Sequence, residues 1–465
     1  MRPGFFFQES RVSTHASATS IAALVIGSFA VVMSATTINV AIAPMMAEFA
    51  ISHRLAQSFS SVFLGLTVVC APLASWLADR FGAWRVFARL LLLYLLVSLL
   101  AGLSDSFAAM LTARAVQGLC AGIMQPLSLF LVLESANPAR QGRTLSMFSL
   151  GVVMAPALGP TLAGFVVEHA NWRHTFWLGV PPAMVALGLI VWRRPQERAV
   201  VTTPSRLDFA GLGFLAMLVA MVFLWPLLLE HSSGLAMLMA LIWLCLVRVF
   251  WRQMQVREEP LIEPALLSHP AYFSGLLVTL AYGVGMYGSI FLIPLLLQNG
   301  LGESAVTTGN LLLLGGVALA VSIPLAGRLV DRFSSHLVVS IGLSCFAVSS
   351  LLLAWPGGLG SIAAGIVISR FALGMIIPGL YTSMARAVPD SLLRRGTAVT
   401  TMTRQAGGAL GITLIGALLA SLTQGVVAPL AQTPDQPYRV LFALISLLFL
   451  ASLFAARRMN LRASD

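Results

Sequence analysis

Apolar stretches long enough to cross a bilayer recur along the whole chain, separated by short breaks rich in Arg, Pro, Gly or acidic residues. A transmembrane helix needs about 20 consecutive apolar residues. The pattern predicts fourteen spans, at 20–46, 57–78, 86–104, 108–133, 144–167, 174–192, 208–229, 234–252, 272–297, 308–330, 337–355, 360–385, 398–424 and 436–456. Because a backbone in hydrocarbon must satisfy its polar groups within each segment, we expect an all-α polytopic membrane protein.

The composition supports this class. Of the 465 residues, 58% are hydrophobic and only 10% are charged, with a mean hydropathy of +0.90. Soluble domains carry about 25% charged residues, and disordered chains combine low hydrophobicity with high charge, so both classes are excluded. The four cysteines lie in apolar runs without a C-x-x-C pair, which favours packing roles over disulfides or a metal site. The polar first 17 residues precede the first run, which we interpret as an uncleaved span.

The charge is one-sided and fixes a predicted orientation. All 28 basic residues are Arg, against 17 acids, which gives a net charge of +11. With an even number of spans and cytoplasmic termini, 22 arginines lie on the cytoplasmic side, three lie outside and three lie within spans. This asymmetry follows the positive-inside rule, so we expect both termini in the cytoplasm and membrane anchoring rather than a nucleic-acid partner.

Two short patterns repeat at nearly the same offset. Asp79-Arg80-Phe81 recurs as Asp331-Arg332-Phe333, 252 residues later, and the R-x-x-x-G spacing of Arg114–Gly118 recurs at Arg370–Gly374, 256 residues later. These offsets predict two six-span halves in parallel repeat, with spans seven and eight between them. The predicted divisions are a tail at 1–19, an N-terminal half at 20–192, a linker with two spans at 193–271, a C-terminal half at 272–456 and a tail at 457–465.

The loop motif carries a family resemblance. Leu77-Ala78-Asp79-Arg80-Phe81-Gly82 is similar to the G-x-L-A-D-R-x-G-R-R loop of the major facilitator superfamily, and the whole chain resembles its fourteen-span drug:H+ antiporter family, typified by EmrB and QacA. The resemblance implies a major facilitator fold and a conformational latch between the halves, formed by Asp79, Arg80, Gly82, Asp331 and Arg332. The alternative is a turn with an Arg cluster that only sets topology.

The fifth span resembles the exporter-specific antiporter motif G-x-x-x-G-P-x-x-G-G, with Ala155 and Ala163 in place of two glycines. Small residues at this spacing let another helix approach closely, and prolines bend a helix. The residues assigned to this bend are Gly151, Pro156, Gly159, Pro160 and Gly164. Simple close packing is the alternative.

Three further segments resemble the fourteen-span family. They are Asn171-Trp172-Arg173-His174-Thr175-Phe176, the D-x-x-G opening of the seventh span at Asp208, and Thr403-Arg404-Gln405-Ala406-Gly407-Gly408. Anchoring at the membrane interface by aromatic residues and Arg is the alternative for these segments.

Arg114 lies inside the fourth span, in a segment that resembles the family motif R-x-x-q-G. A charge within a span usually faces the interior of the bundle and indicates function. The alternative is that its side chain snorkels to the outer interface, since Arg114 is about 9 Å into its span at 1.5 Å per residue.

The first span departs from the family, which commonly has an Asp where this chain has Ser34. A buried carboxylate beside an Arg is a natural proton carrier, and none of the 17 acids lies in the middle of a predicted span. Glu134 is the nearest substitute, although pairing with arginines such as Arg140 or Arg143 is its alternative role. Without a substitute the cavity is positive through Arg114, Arg370 and Arg404, which favours anionic or neutral substrates.

Polar and aromatic residues of the spans complete the predicted cavity, although interhelical packing is an equal alternative for each. The candidates for the cavity or for coupling are Ser34, Thr37, Asn39, Arg114, Gln117, Gln125, Glu134, Tyr282, Arg370, Tyr381 and Arg404.

We therefore expect a secondary transporter of the bacterial inner membrane that exports small amphipathic molecules by alternating access, in exchange for protons or as an uncoupled metabolite or anion exporter. The spans lack the residue clusters of an enzyme and the filter of a channel, so neither catalysis, a cofactor nor a metal is expected. Membrane lipids surround the spans. The resemblance also implies a periplasmic adaptor protein, which the short outer loops neither demand nor exclude.

Overall fold

The structure, a computed structural model, describes residues 18–51, 53–136, 141–193, 207–355, 357–424 and 433–459. It is built from α-helices joined by short connections. The first group of helices is α1 (Ala18–Phe49), α2 (His53–Cys70), α3 (Leu73–Phe81), α4 (Ala83–Gly102), α5 (Phe107–Ser135), α6 (Gln141–His169) and α7 (Val180–Arg193), with a 3-10 turn at Trp172–Trp177 before α7.

The chain continues through two central helices and a second group. The central pair is α8 (Phe209–His231) and α9 (Ser233–Val256), followed by the short α10 (Pro264–Ser268). The second group is α11 (Pro270–Leu295), α12 (Ala305–Arg332), α13 (Ser335–Ala354), α14 (Leu359–Arg386), α15 (Leu393–Gln424) and α16 (Gln436–Arg458).

The predicted apolar runs coincide with these helices. Among the described residues, twelve helices are long and apolar enough to cross a membrane, and the bent pair α2–α3 makes a thirteenth if it is one span. The predicted seventh span corresponds to α8, whose apolar stretch Phe209–Trp225 is shorter. The all-helical class is therefore confirmed, whereas the count of fourteen spans stays a prediction.

The second predicted span is broken rather than continuous. A turn at Ala71–Pro72 separates α2 from α3, and the two helices meet at 58°. Pro72 has no N–H for the helical ladder, so α2 ends at Cys70 and α3 restarts beyond the proline. Gly82 then has φ +87°, a conformation that favours glycine, and joins α3 directly to α4.

The two groups of helices pack in the same way. In the first, α1 contacts α6 and α7, α5 contacts α2 and α4, and α4 contacts α7. In the second, α11 contacts α15 and α16, α14 contacts α12 and α13, and α13 contacts α16. Among the described residues, the helix pairs that join the two groups include α6 with α12, α6 with α14, α2 with α15, α3 with α15 and α5 with α15.

Candidate functional site

Arg114 is buried inside the first group of helices, with 1% of its surface exposed. Its Nη1 donates to the Ser34 carbonyl at 3.0 Å and to Gln117 Oε1 at 3.0 Å, and its Nε donates to the Phe59 carbonyl at 3.3 Å. The guanidinium also lies 4.4 Å from the ring centre of Phe63. Arg114 therefore does not snorkel to the interface, because neutral acceptors and an aromatic face hold it in the interior.

Two residues that the sequence analysis overlooked complete this cluster. The Tyr94 hydroxyl lies 2.5 Å from Ser34 Oγ and donates to the Ala30 carbonyl at 3.1 Å, and Gln117 Nε2 donates to Ser98 Oγ at 2.8 Å. Tyr94 and Ser98 are spaced four residues apart in an otherwise leucine-rich stretch of α4, so they share one helix face. That spacing could have identified them.

The two threonines and the asparagine of α1 contribute less. Thr36 and Thr37 are buried, and their hydroxyls donate to carbonyls one turn earlier in the same helix, at 3.3 and 3.5 Å. The Asn39 side chain lies outside the described residues. These two hydroxyls thus satisfy their own helix rather than building the cluster around Arg114.

A second polar cluster lies between the two groups of helices. Arg404 Nη2 and Gln405 Nε2, both on α15, donate to the same atom, Gln125 Oε1 on α5, at 2.6 and 3.0 Å. The Tyr287 hydroxyl on α11 donates to Gln405 Oε1 at 3.1 Å. Gln125 lies eleven residues beyond Arg114 on α5, or about 16 Å along the helix, so the two clusters are separate.

Arg370 and two further tyrosines border the second cluster. Arg370 Nη1 donates to Ser289 Oγ at 3.1 Å. Tyr282 and Tyr381 are buried within electrostatic range of Arg404, and Tyr282 is also within range of Arg370. The predicted candidates Gln125, Tyr282, Arg370, Tyr381 and Arg404 are thus brought together, whereas Ser34, Arg114 and Gln117 belong to the first cluster.

Tyr381 also lines a crevice towards the end of the bundle that holds Asp79 and Asp331. Its walls come from both groups of helices, with side chains from α5, α11, α14 and α15. Thr397 lines it and is 4% exposed.

Glycines set how closely the helices around these clusters approach. On α15, a Cβ at Gly407 would meet the Leu280 carbonyl and a Cβ at Gly411 would come within 2.9 Å of Val284 Cα, both on α11. On α5, a Cβ at Gly118 would come within 2.5 Å of the Phe63 carbonyl on α2. The glycine in R-x-x-x-G and those following Arg404 therefore bring the helices together, which holds the arginines in the interior.

The glycines of α6 only partly follow the antiporter-motif prediction. Gly151 and Gly159 face α1, where an added Cβ would meet Val25 and Thr36 respectively, but Gly164 has open space around its Cα. The close-packed face thus ends before Gly164. The helix runs as one element from Gln141 to His169, with Pro160 half-buried on it, and the side chain of Pro156 lies outside the described residues. The predicted bend stays a prediction.

The two acidic loop motifs meet the opposite group of helices at one end of the bundle, which we call the Asp79/Asp331 end. Asp331, in the last turn of α12, accepts hydrogen bonds from the backbone N–H groups of Gly142 and Arg143 at the start of α6, at 2.8 and 3.1 Å. Asp79, in the last turn of α3, pairs with Arg394 at the start of α15. Each motif thus contacts the first turn of a helix in the other group.

The two arginines of the predicted latch lie beside their own helix or at the surface. The Arg80 guanidinium lies 5.7 Å from the ring centres of both Trp76 and Phe81 on its own helix, and Arg332 is exposed. Glu134 is half-buried in the last turn of α5. Of its two proposed partners, Arg143 is exposed and Arg140 lies outside the described residues, so the role of Glu134 stays a prediction.

At the opposite end, Arg173 fixes the turn before α7. It is 8% exposed, donates to Glu48 at the end of α1 and lies 3.0 Å from Asp105. Trp172 Nε1 also donates to Glu48, at 2.8 Å. The hydrogen bonds from Arg173 and Trp172 lower the pKa of the Glu48 carboxyl, because they stabilise its charged form.

The seventh-span motif is a helix cap. Asp208 accepts from the N–H of Gly211 at 2.9 Å in the first turn of α8, from Gln253 Nε2 at 3.1 Å on α9 and from the N–H of Leu261 at 3.4 Å. One buried carboxylate therefore joins three segments.

Charge is unbalanced in the interior. Among the described residues, no carboxylate forms an ion pair with Arg114, Arg370 or Arg404. No group of three or more His, Cys, Asp or Glu within the same residues is placed to hold a metal ion.

Comparison with known proteins agrees with this architecture. The sequence profile described as Major Facilitator Superfamily matches residues 24–412 and 275–462. The chain is 27% identical to the lincomycin resistance protein LmrB of Listeria innocua, over 94% of each chain. It is 26% identical to the multidrug resistance protein B homolog of Mycobacterium tuberculosis strain H37Rv, over 83% of this chain and 73% of that protein.

Among solved structures, the fold is similar to that of the human organic anion transporter MFSD10 (TETRAN), with a TM-score of 0.64 and 18% identity, covering 94% of this chain and 99% of that one. The resemblance to multidrug efflux transporters predicted from the motifs is confirmed by the relatives. The chain is a polytopic membrane protein that belongs to the Major Facilitator Superfamily.

Proposed function

We propose that this protein is a secondary active exporter of small amphipathic molecules that works by alternating access. The observation that carries the proposal is the pair of contacts at the Asp79/Asp331 end, where each acidic motif binds the first turn of a helix in the other group. Such contacts can hold one end closed and break when the halves rock. The family and the efflux-named relatives support the same function.

The proposal includes fourteen spans arranged as two parallel six-span halves plus the pair α8 and α9. It rests on the recurrence of the same packing pairs in both groups of helices. It also rests on the matching positions of Gly118 and Gly374, whose added Cβ atoms would meet α2 and α12, the second helix of each half.

We place the Asp79/Asp331 end in the cytoplasm of a bacterium, with the protein in the inner membrane and both termini cytoplasmic. The distribution of 22 arginines against three supports this orientation. In the state described here the cytoplasmic end is then closed, as in a transporter poised to release substrate outward. A periplasmic adaptor protein is the partner implied by the resemblance.

The unbalanced arginines favour anionic or neutral substrates over cations. Coupling to protons is part of the proposal, with Glu134 as the candidate carrier, and an uncoupled exporter is the alternative that the missing first-span carboxylate favours. Substrate-driven proton flux in proteoliposomes separates the two. Flux in wild type that is abolished in Glu134→Gln supports coupling through Glu134, and transport without any flux supports the uncoupled exporter.

Export itself is tested in bacterial cells that lack their own efflux pumps. We expect cells that express the protein to accumulate less of at least one anionic or neutral aromatic compound than cells with an empty vector. Asp331→Ala should weaken this effect. Asp390→Asn serves as the matched control, because Asp390 is an exposed acid in the 3-10 turn Asp390–Leu392 just before α15. Equal accumulation of every compound with and without the protein would refute the proposal.

A further inference from the structure

The oxygen of Gln125 occupies an unusual position between the two halves. Gln125 Oε1 is a single neutral acceptor, yet it receives hydrogen bonds from both the Arg404 guanidinium and the Gln405 amide. Two converging donors, one of them cationic, are the arrangement that recognises an oxygen of a carboxylate or sulfonate. Gln125 therefore fills a position that suits an anion better than an amide.

Arg404 is also short of acceptors. It is 1% exposed, and the hydroxyls of Tyr287 and Tyr381 lie beside its guanidinium. Its Nη2 bonds to Gln125, but its Nε and Nη1 atoms form no hydrogen bond of good geometry among the described residues. Arg114 is equally buried but has three oxygen acceptors and an aromatic ring around it, and only its Nη2 has no hydrogen-bond partner among the described residues. Arg404 therefore has two nitrogens free to donate to a ligand, whereas Arg114 has one and is held by more acceptors of the protein.

A third donor faces the same region. The hydroxyl of Tyr282 is fully buried and has no partner among the described residues, and the side chain lies within electrostatic range of both Arg370 and Arg404. An unpaired buried hydroxyl is costly unless a ligand or water satisfies it. Tyr272 lies ten residues earlier on the same helix, α11, and its hydroxyl does have a partner, because it donates to the Gly396 carbonyl at 2.7 Å.

Charge balance points in the same direction. A guanidinium cannot lose its proton, and a cation buried within a span costs about 3 kcal/mol on insertion scales unless it is paired. No described carboxylate pairs with Arg370 or Arg404. A ligand that brings a negative charge to these arginines would therefore offset this cost.

We propose that Arg404, Gln405 and Tyr282, flanked by Arg370, form a binding site for the anionic group of the transported molecule, and that Gln125 occupies this site until the anion displaces it. This inference rests on the proposed function and names its substrate class, an aromatic carboxylate or sulfonate that the tyrosines also contact. Because Gln125 is on α5 and Arg404 on α15, displacement of the amide breaks a contact between the halves. Substrate binding and loosening of the halves are thereby linked.

The test measures affinity by ligand-dependent thermal stabilisation of the purified full-length protein. The probes are 2-naphthoate, its neutral analogue 2-naphthamide and the cation 2-naphthylmethylammonium, with chloride and phosphate as inorganic anions. We expect 2-naphthoate to bind most tightly to wild type. Stabilisation by chloride or phosphate alone, or by the cation, overturns the assignment of the substrate class.

Two isosteric variants of Gln125 test displacement. Gln125→Leu removes the internal competitor, so 2-naphthoate should bind about tenfold more tightly, the value of one hydrogen bond to a charged group. Gln125→Glu supplies a permanent carboxylate to Arg404, so binding of 2-naphthoate should be lost while the free protein becomes more stable. A Gln125 that merely contacted the substrate would weaken binding in Gln125→Leu, and that result refutes the proposal.

A matched tyrosine pair and a charge-conserving variant complete the test. Tyr282→Phe should weaken 2-naphthoate binding about tenfold without lowering the melting temperature, whereas Tyr272→Phe should lower the melting temperature and leave the affinity unchanged. Arg404→Lys keeps the positive charge but loses the paired N–H donors of the guanidinium, so it should weaken 2-naphthoate binding as well. Unchanged affinity in both Tyr282→Phe and Arg404→Lys overturns the site.

The failure of this inference can be distinguished from the failure of the proposed function. Export of cations or neutral compounds without anion binding refutes this inference alone, whereas anion binding without any transport refutes the proposed function.

Discussion

The contact of Asp331 with the start of α6 gives a quantitative test of the closed end. Its carboxylate accepts two backbone hydrogen bonds, at 2.8 and 3.1 Å, from N–H groups that have no partner inside their own helix. A helix cap contributes about 1 kcal/mol, and the charge adds about 0.3–1 kcal/mol through the helix dipole. Because Asp331 is exposed, we take the free energy that this contact contributes to the closed state as about 2 kcal/mol. This value is in the lower part of the range for hydrogen bonds to charged groups.

Removing this contact should therefore shift the equilibrium between the closed and open states of the Asp79/Asp331 end. Asp331→Ala should increase the open fraction about 30-fold, since a factor of ten corresponds to 1.4 kcal/mol. Asp331→Asn keeps one neutral acceptor, so about half of the free energy and an increase of about fivefold are expected. Asp390→Asn should leave the equilibrium unchanged.

The assay follows the labelling rate of a buried cysteine in inside-out vesicles by a membrane-impermeant maleimide. Thr397→Cys supplies the reporter because Thr397 is 4% exposed and lines the crevice between the two groups of helices. It is built in a background without the native cysteines, which are Cys70, Cys120, Cys245 and Cys345. Labelling of Asp331→Ala within twofold of the wild-type rate would show that this contact does not hold the end closed.

The other predictions concern stability, measured as melting temperature in detergent. Gly118→Ala should destabilise the protein by about 1–3 kcal/mol, because the new Cβ meets the backbone of α2, whereas Gly164→Ala, in open space, should not; equal effects would contradict the packing argument. Asp208→Ala should cost about 2 kcal/mol by removing the cap of α8 and its bonds to two other segments, and a loss under 0.5 kcal/mol would contradict that role. The hydrogen bonds from Arg173 depress the folded-state pKa of Glu48. The stabilisation that the Glu48 carboxylate gives to the folded protein is therefore present above the ordinary carboxyl pKa of 4.5 and is lost as the pH falls below it. Glu48→Gln should lower the melting temperature at neutral pH and reduce the change of melting temperature with pH.

The helices could be predicted from the sequence because each apolar run has the length that a membrane requires. The break in the second span could not be placed in advance, although Pro72 is its cause. A proline within a span can kink, end or leave a helix nearly straight, and the 58° angle depends on how α3 packs against α4 and α5. The parts that depended on length were predictable, and the part that depended on packing was not.

The candidate residues illustrate the same limit. Arg114, Gln117 and Ser34 were named as one cavity with Gln125, Arg370 and Arg404, but the structure divides them into two clusters. Within a helix, residue spacing gives the side that each residue faces. The contact between Gln125 and Arg404 joins residues 279 positions apart, and only the packing of the two groups of helices against each other determines it.

The missing carboxylate of the first span has a different meaning once these clusters are separated. In the first cluster Arg114 donates to the backbone carbonyl of Ser34, the residue that stands where the family commonly has Asp, so Arg114 keeps three neutral acceptors and only its Nη2 has no partner among the described residues. In the second cluster Arg404 has one neutral acceptor, Gln125, and two of its nitrogens have no partner among the described residues. From the sequence, the missing negative charge belongs to the first span. In the described part of the structure, the arginine with the most buried nitrogens that lack a partner is Arg404, at the contact between α5 and α15. It is there, at the contact that joins the halves, that an anion would change both the charge balance and the conformation.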